Sequence, residues 1–159
     1  MSNDMTVAVD GGVINIRVGA IILKDGKLLM AGNNREAYHY TVGGRIKFGE
    51  TAAEAVVREV FEETGVHMDI DRLGFVHENY FKGDAPSNRD KLIYEIDYYF
   101  YMKVPDDFDP ASMTFMEGDQ EEKLTWVDLD GDAKYYPDFF KTELKNPVKD
   151  VKFFTTDER

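Results

Sequence analysis

Apolar and polar positions change their period along the chain, and each change marks an element. Residues 13–23 are dense in β-branched and apolar side chains (Val13, Ile14, Ile16, Val18, Ile21, Ile22) and predict a strand, preceded by a turn at Asp10-Gly11-Gly12. Asp25-Gly26 is a hairpin signal, and residues 28–31 predict the returning strand. Polar residues 33–37 predict a loop, and residues 38–42 a short strand that runs into Gly43-Gly44. The period then becomes helical. Ala53, Val56, Val57, Val60 and Phe61 recur on one stripe, which predicts a buried apolar face. Thr51 suits the N-cap, with Glu54 three residues on to close a capping box, and Gly65 suits the left-handed position past the last turn, so the helix ends near Thr64.

Residues 66–80 read as extended and 82–90 as a loop. Residues 92–104 predict a long strand with Tyr94, Ile96, Tyr98, Phe100 and Met102 on one face. After an acidic loop at 105–110, residues 123–129 predict another strand, carrying the only tryptophan, Trp126. Pro137 opens a short helix to about Leu144, and residues 148–155 read as a last strand or a loosely held tail. Strands outnumber helices around one strongly punctuated helix, which predicts a mixed-sheet α+β or α/β domain. A chain of 159 residues is expected to form a single domain over 1–159, with 1–6 and 156–159 as loose tails.

Charge narrows the partners. Asp plus Glu outnumber Lys plus Arg by 31 to 19, and a net charge of -12 argues against broad contact with nucleic acid or an anionic membrane. The absence of cysteine excludes disulfides, thiolate metal sites and a cysteine nucleophile. The first residues carry no basic-then-apolar leader, and the apolar run 18–23 is too short to cross a bilayer, so a soluble, cytoplasmic protein is expected.

The acids are not spread evenly. Glu59, Glu62 and Glu63 stand at i, i+3 and i+4 on the predicted helix, so their side chains share one face, ~5–6 Å apart at Cβ. Such neighbours destabilise a helix by a few tenths of a kcal/mol per pair, and Glu62 and Glu63 also lie at the negative end of the helix dipole. Two local rules broken at one place point to function. A hard divalent cation, Mg²⁺ or Mn²⁺, removes both penalties. It also suits phosphoanhydride hydrolysis, where metal ions neutralise phosphate charge and lower the pKa of a bound water. Gly43-Gly44 offers backbone that can approach a cation closely, and Arg58 can pair bidentately with Glu50 to fix the loop against the helix.

The segment 44–66, GRIKFGETAAEAVVREVFEETGV, resembles the Nudix box, G-x5-E-x7-R-E-U-x-E-E-x-G-U with U a bulky aliphatic, at every position: Gly44, Glu50, Arg58, Glu59, Val60, Glu62, Glu63, Gly65 and Val66. Ordinary residue frequencies give a chance match on the order of 10⁻⁷ in a chain of this length. The resemblance implies the Nudix fold, an α/β/α sandwich with a mixed β-sheet. It implies metal-dependent hydrolysis of a pyrophosphate bond in a nucleoside diphosphate linked to another moiety X: a nucleoside triphosphate, a nucleotide sugar such as ADP-ribose, or a dinucleoside polyphosphate. By position it makes Glu59, Glu62 and Glu63 metal ligands for Mg²⁺, with Mn²⁺ the other option, and Gly43 or Gly44 a carbonyl ligand. Arg58 and Glu50 become orienting residues, so that Glu59, Glu62, Arg58 and Glu50 are the catalytic set. The base is Glu59 or an acid outside the box, among Glu117, Asp119, Glu121 and Glu122. Where many members carry Leu-Pro before the two glycines, this chain has Thr41-Val42, which frees φ at position 42.

Arg35, Arg45, Lys47, Lys82 and Arg89 are cations that could meet substrate phosphates, and Tyr40 is among the tyrosines able to stack on a base or ribose. Arg35, Arg45, Tyr40, Glu121 and Glu122 are the substrate-binding candidates carried forward. His39, His67 and His77 lack ligand spacing. The competing reading is a catalytically silent nucleotide-sensing domain of the same fold. A homodimer is the assembly suggested by the resemblance and by the aromatic strand 94–101.

Overall fold

The alternation that predicts strands is realised as hydrogen-bonded ladders in the computed structural model, which describes residues 2–159. In chain order the elements are β1 (Thr6–Val9), β2 (Gly12–Ile21), β3 (Leu23–Lys24), β4 (Lys27–Gly32), β5 (Tyr40–Arg45), α1 (Ala52–Thr64), β6 (Ile70–Lys82), β7 (Leu92–Met102), β8 (Thr114–Glu117), β9 (Gln120–Asp128), α2 (Phe140–Glu143) and β10 (Lys152–Asp157). They pair in the order β10-β6-β7-β2-β5-β4-β9-β8, with β1 on β2 and β3 on β4. The pairs β2 with β7 and β10 with β6 are parallel; the others are antiparallel. The β3–β4 turn has positive φ at both Asp25 (53°) and Gly26 (75°), as the predicted hairpin signal requires.

Both faces of the sheet are covered. Val18, Ala20, Ile22 and Val42 pack with Val56 and Val60 of α1 in one apolar cluster. Ile21, Leu28, Met30, Phe75 and Tyr99 pack with Tyr135, Phe140 and Leu144 around α2 in the other. The α+β class with a mixed sheet is therefore as expected from the sequence, with a thin second outer layer because α2 is only 4 residues long. Strand β7 serves both clusters: Phe100 and Met102 face α1, while Tyr99 and Tyr101 face α2. Among the described residues no helix is long and apolar enough to cross a membrane.

The structure corrects several boundaries. Strand β5 runs from Tyr40 through Gly43 and Gly44 to Arg45 rather than over 38–42, because both glycines pair with β2. Strands β1 and β8 have no counterpart in the sequence reading; both are short, largely exposed edge elements without alternation. The segment 66–69 is not part of β6. Helix α2 begins at Phe140, three residues after Pro137. Of the alternatives for the last segment, the strand is realised: β10 pairs with β6 as far as Asp157 opposite Tyr80, inside the stretch 156–159 expected as a tail. Thr6, in the other expected tail, starts β1, and Met1 lies outside the described residues.

His77 on β6 is buried against Phe139 and Tyr99, its Nε2 lies 2.8 Å from Thr156 Oγ1, and its Nδ1 has no partner. Burial pulls its pKa down to about 4, against a small opposing effect of Glu78. A folded pKa below the unfolded one gives stability that is present above about 6.5 and lost as pH falls through about 4. Asp97, whose pKa burial raises, tilts stability the opposite way, so the comparison must be with a variant. His77→Gln should gain stability relative to the parent as pH falls from about 6.5 to about 4, read from urea unfolding at each pH. A pH-independent difference would contradict this.

Candidate active site

Helix α1 is fixed at both ends, and this sets the angular position of its acids. Thr51 Oγ1 accepts from Glu54 N–H at 3.1 Å while Glu54 Oε2 accepts from Thr51 N–H at 2.8 Å, which realises the predicted capping box. Gly65 closes the helix at φ 75°, its N–H donating to Phe61 O at 2.8 Å. The buried stripe differs from the apolar one predicted. It comprises Ala55, Val56, Glu59, Val60, Glu63 and Thr64, whereas Ala53 is exposed, Val57 is half-buried and Phe61 is 53% exposed. The helix is rotated so that Glu59 and Glu63 turn towards β5, and Phe61 is displaced to the surface to allow it.

Strand β5 meets these acids with backbone alone. Gly43 N–H donates to Glu63 Oε2 at 2.8 Å. A Cβ on Gly43 would collide with the Val18 carbonyl, and one on Gly44 would lie 2.5 Å from Glu59 Oε1. The two glycines are therefore required by close approach, of the neighbouring strand at Gly43 and of a carboxylate at Gly44. Gly44→Ala should push the Glu59 carboxylate aside and weaken divalent-cation affinity about tenfold or more, with the helix intact, as read by Mn²⁺ titration and circular dichroism. Unchanged affinity would contradict the cradle.

Arg58 ties the acids together. Its Nε and Nη2 donate to Glu50 Oε2 and Oε1 at 3.0 and 2.6 Å, the bidentate pair expected from the sequence. Its Nη1 donates to Glu59 Oε1 at 2.9 Å and Glu62 Oε2 at 3.2 Å, and Nη2 also reaches Arg45 O at 3.2 Å. Glu50 further accepts from Lys47 N–H at 2.8 Å, so the loop is latched to the helix. The Arg58 bonds hold the Glu50 carboxyl below its ordinary pKa. Glu59 and Glu63 go the other way. Burial raises both; Arg58 opposes the rise at Glu59, while the charge of Glu59 adds to it at Glu63.

Gly43, Gly44, Arg58, Glu59, Glu62 and Glu63 line one cleft of about 400 Å³, with Glu50 off the lining behind Arg58. The β8–β9 hairpin contributes Phe115, Glu117 and Glu122, and Arg17, Tyr40, Arg45 and Lys47 complete much of the wall. Tyr40 Oη donates to Glu122 Oε2 at 2.6 Å, and Asn33 Nδ2 donates to Tyr40 Oη at 3.2 Å. The structure thus brings together Tyr40, Arg45, Lys47, Glu117 and Glu122 of the candidates beyond the signature positions of the box. Glu121 and Asp119 are exposed and off the lining, as are Arg35, Lys82 and Arg89. Sequence reasoning missed Arg17, although it is the only charged residue between Val13 and Leu23 in a largely apolar strand.

The donors on this wall are all oxygens, carboxylate and carbonyl, which fits a hard cation. Two of the carboxyls, Glu59 and Glu63, are buried, and neighbouring acids push both up (Glu62 and Glu117 at Glu59, Glu59 and Glu117 at Glu63), a strain a cation would relieve. Among the described residues no three acids or imidazoles already converge on one point; Arg58 draws Glu59 and Glu62 to itself.

Comparison with known proteins agrees with the geometry. Residues 14–139 match the model of the NUDIX domain family. A MutT-like protein of Streptomyces ambofaciens is 34% identical over 65 residues, which is 41% of this chain and only 42% of the length of that relative. The fold resembles the solved structure of an ADP-ribose pyrophosphatase from Streptococcus suis (TM-score 0.56, 16% identity, 87% of this chain and 98% of that one). It also resembles a MutT NUDIX hydrolase from Burkholderia pseudomallei (TM-score 0.55, 22% identity, 85% and 98%).

Proposed function

The chain belongs to the NUDIX hydrolase family, and from that premise we propose that it hydrolyses a pyrophosphate bond in a nucleoside diphosphate linked to another moiety, using Mg²⁺ or Mn²⁺. The observation that carries this reading is the meeting of a complete box with bare glycine backbone: Glu59 beside Gly44, Glu63 on the Gly43 N–H, and Glu62 at the cleft mouth. In this proposal Glu59, Glu62 and Glu63, with a carbonyl oxygen of Gly43 or Gly44, hold the cation. When bound, it supplies charge neutralisation at the phosphate oxygens and activation of water. Arg58 and Glu50 keep the box loop in register with the helix, and Arg58 is the partner of Glu59 and Glu62 that a bound cation would have to displace. A general base is proposed among Glu59, Glu117 and Glu122, the last held by Tyr40 on the same cleft.

The relatives named an ADP-ribose pyrophosphatase and MutT proteins leave nucleotide sugars and nucleoside triphosphates both open as substrates, with dinucleoside polyphosphates as the third branch. The test is a panel of all three classes with Mg²⁺ or Mn²⁺ and products identified by mass. At least one should be cleaved between phosphates in a metal-dependent manner. Binding without turnover at saturating metal would favour a silent nucleotide sensor instead.

A further inference from the structure

Three arginines line the cleft, and they are not equivalent. Arg58 is fully engaged by the protein through contacts of 2.6 to 3.2 Å. Arg17 and Arg45 are not. The ionic contact of Arg17 is one long approach of Nε to Asp97 Oδ1 at 3.7 Å, and that of Arg45 is Nη1 to Asp4 Oδ2 at 4.0 Å. Among the described residues neither guanidinium has a side-chain hydrogen bond at normal length. Both keep open donors while facing the cleft, Arg17 half-buried and Arg45 exposed.

Their placement sharpens the point. Arg17 of β2 and Arg45 of β5 are direct cross-strand partners in an antiparallel ladder. Such partners project on the same face with Cβ atoms about 4.5–5.5 Å apart, and like charges there destabilise the pair. Two adjacent, under-engaged guanidiniums make physical sense when an anion lies between them. The anion needs them, because six carboxylates share the lining with four basic side chains, and a pyrophosphate would otherwise be repelled.

We propose that Arg17 and Arg45 form a two-guanidinium clamp for the pyrophosphate group of the substrate, in the cleft they share with the box carboxylates. This rests on the hydrolase reading above and adds the residues that hold the phosphates from the sheet side. Each planar fork presents paired donors to non-bridging phosphate oxygens, a role that a lysine fills only as a point charge. Asp97, the cross-strand neighbour of Arg17 on β7, approaches only its Nε, at 3.7 Å, and leaves the outer donors of the fork open.

The test is calorimetric titration of imidodiphosphate, a hydrolysis-resistant P–N–P analogue of pyrophosphate, with Mn²⁺ present. Arg17→Gln and Arg45→Gln should each weaken it about tenfold or more, and Arg17→Lys by a smaller factor. Mn²⁺ affinity without the probe should stay within about threefold, and in turnover KM should rise more than kcat falls. Arg45 has one long contact and an exposed side chain, so Arg45→Gln will fold even if Arg17→Gln does not. Unchanged probe affinity in the folded glutamine variants overturns the clamp and leaves the hydrolase reading standing. Loss of Mn²⁺ affinity in step with probe affinity also overturns it, since the arginines would then act on the cation site. A parent protein that neither binds the probe nor cleaves any nucleotide overturns both readings.

Discussion

Glu62→Gln is expected to lower pyrophosphohydrolase turnover at least about 100-fold while leaving the melting temperature nearly unchanged. The two halves of this expectation have separate causes. The Glu62 side chain is 50% exposed, and its contact with the protein is the 3.2 Å bond from Arg58 Nη1, the outermost of that network. An exposed ion pair of this kind is worth about 0–1 kcal/mol, and glutamine keeps the shape. What glutamine cannot keep is an anionic ligand at the mouth of the cleft. Glu59 and Glu63 make poorer probes because both are buried. Neutralising either one also removes a strained charge, so the metal-free protein should gain stability even as activity falls. Steady-state kinetics and calorimetry on Glu62→Gln separate ligand loss from folding, and unchanged turnover would remove Glu62 from the proposed metal site.

Removing divalent metal with EDTA is expected to abolish turnover and to leave a cooperatively melting protein. Helix α1 is held by Val56 and Val60 in the sheet-side cluster, by the Thr51–Glu54 box and by the Gly65 cap, none of which involves a cation. Arg58 meanwhile neutralises part of the acidic ridge through Glu59 and Glu62. Adding cation back should raise the melting temperature by mass action, about 2.7 kcal/mol at a hundred times the dissociation constant. A non-cooperative melt in EDTA would mean that metal, rather than packing, organises the helix.

How much of this was legible in the sequence depended on whether the controlling interaction was local. Thr51, Glu54 and Gly65 act within a few residues of one another, and the helix they delimit is found where they place it. The Arg58–Glu50 pair spans 8 residues and was read from its box spacing. The rotation of α1 was not legible, because apolar periodicity assumes that glutamates face water. Here the site turned Glu59 and Glu63 inward and Phe61 outward, against the propensity of each. The shift of β5 has the same origin: two glycines just past the end of the predicted strand are strand residues, where a carboxylate and a neighbouring carbonyl approach them closely. Glu122 could have been separated from Glu121 by parity, since Glu122 alternates with Leu124, and Leu124 is in the α1-side cluster. Arg17 needed the register with Arg45, which only the folded sheet supplies.

The central claim is that the ridge of Glu59, Glu62 and Glu63 against Gly43-Gly44 is built for a divalent cation. Anomalous diffraction from crystals equilibrated with saturating Mn²⁺ tests it directly. A peak bounded by those three carboxylates and a glycine carbonyl oxygen is expected, with Glu59 and Glu62 drawn away from Arg58. Difference density showing the same acids still bonded to Arg58, and no anomalous signal beside them, would contradict it.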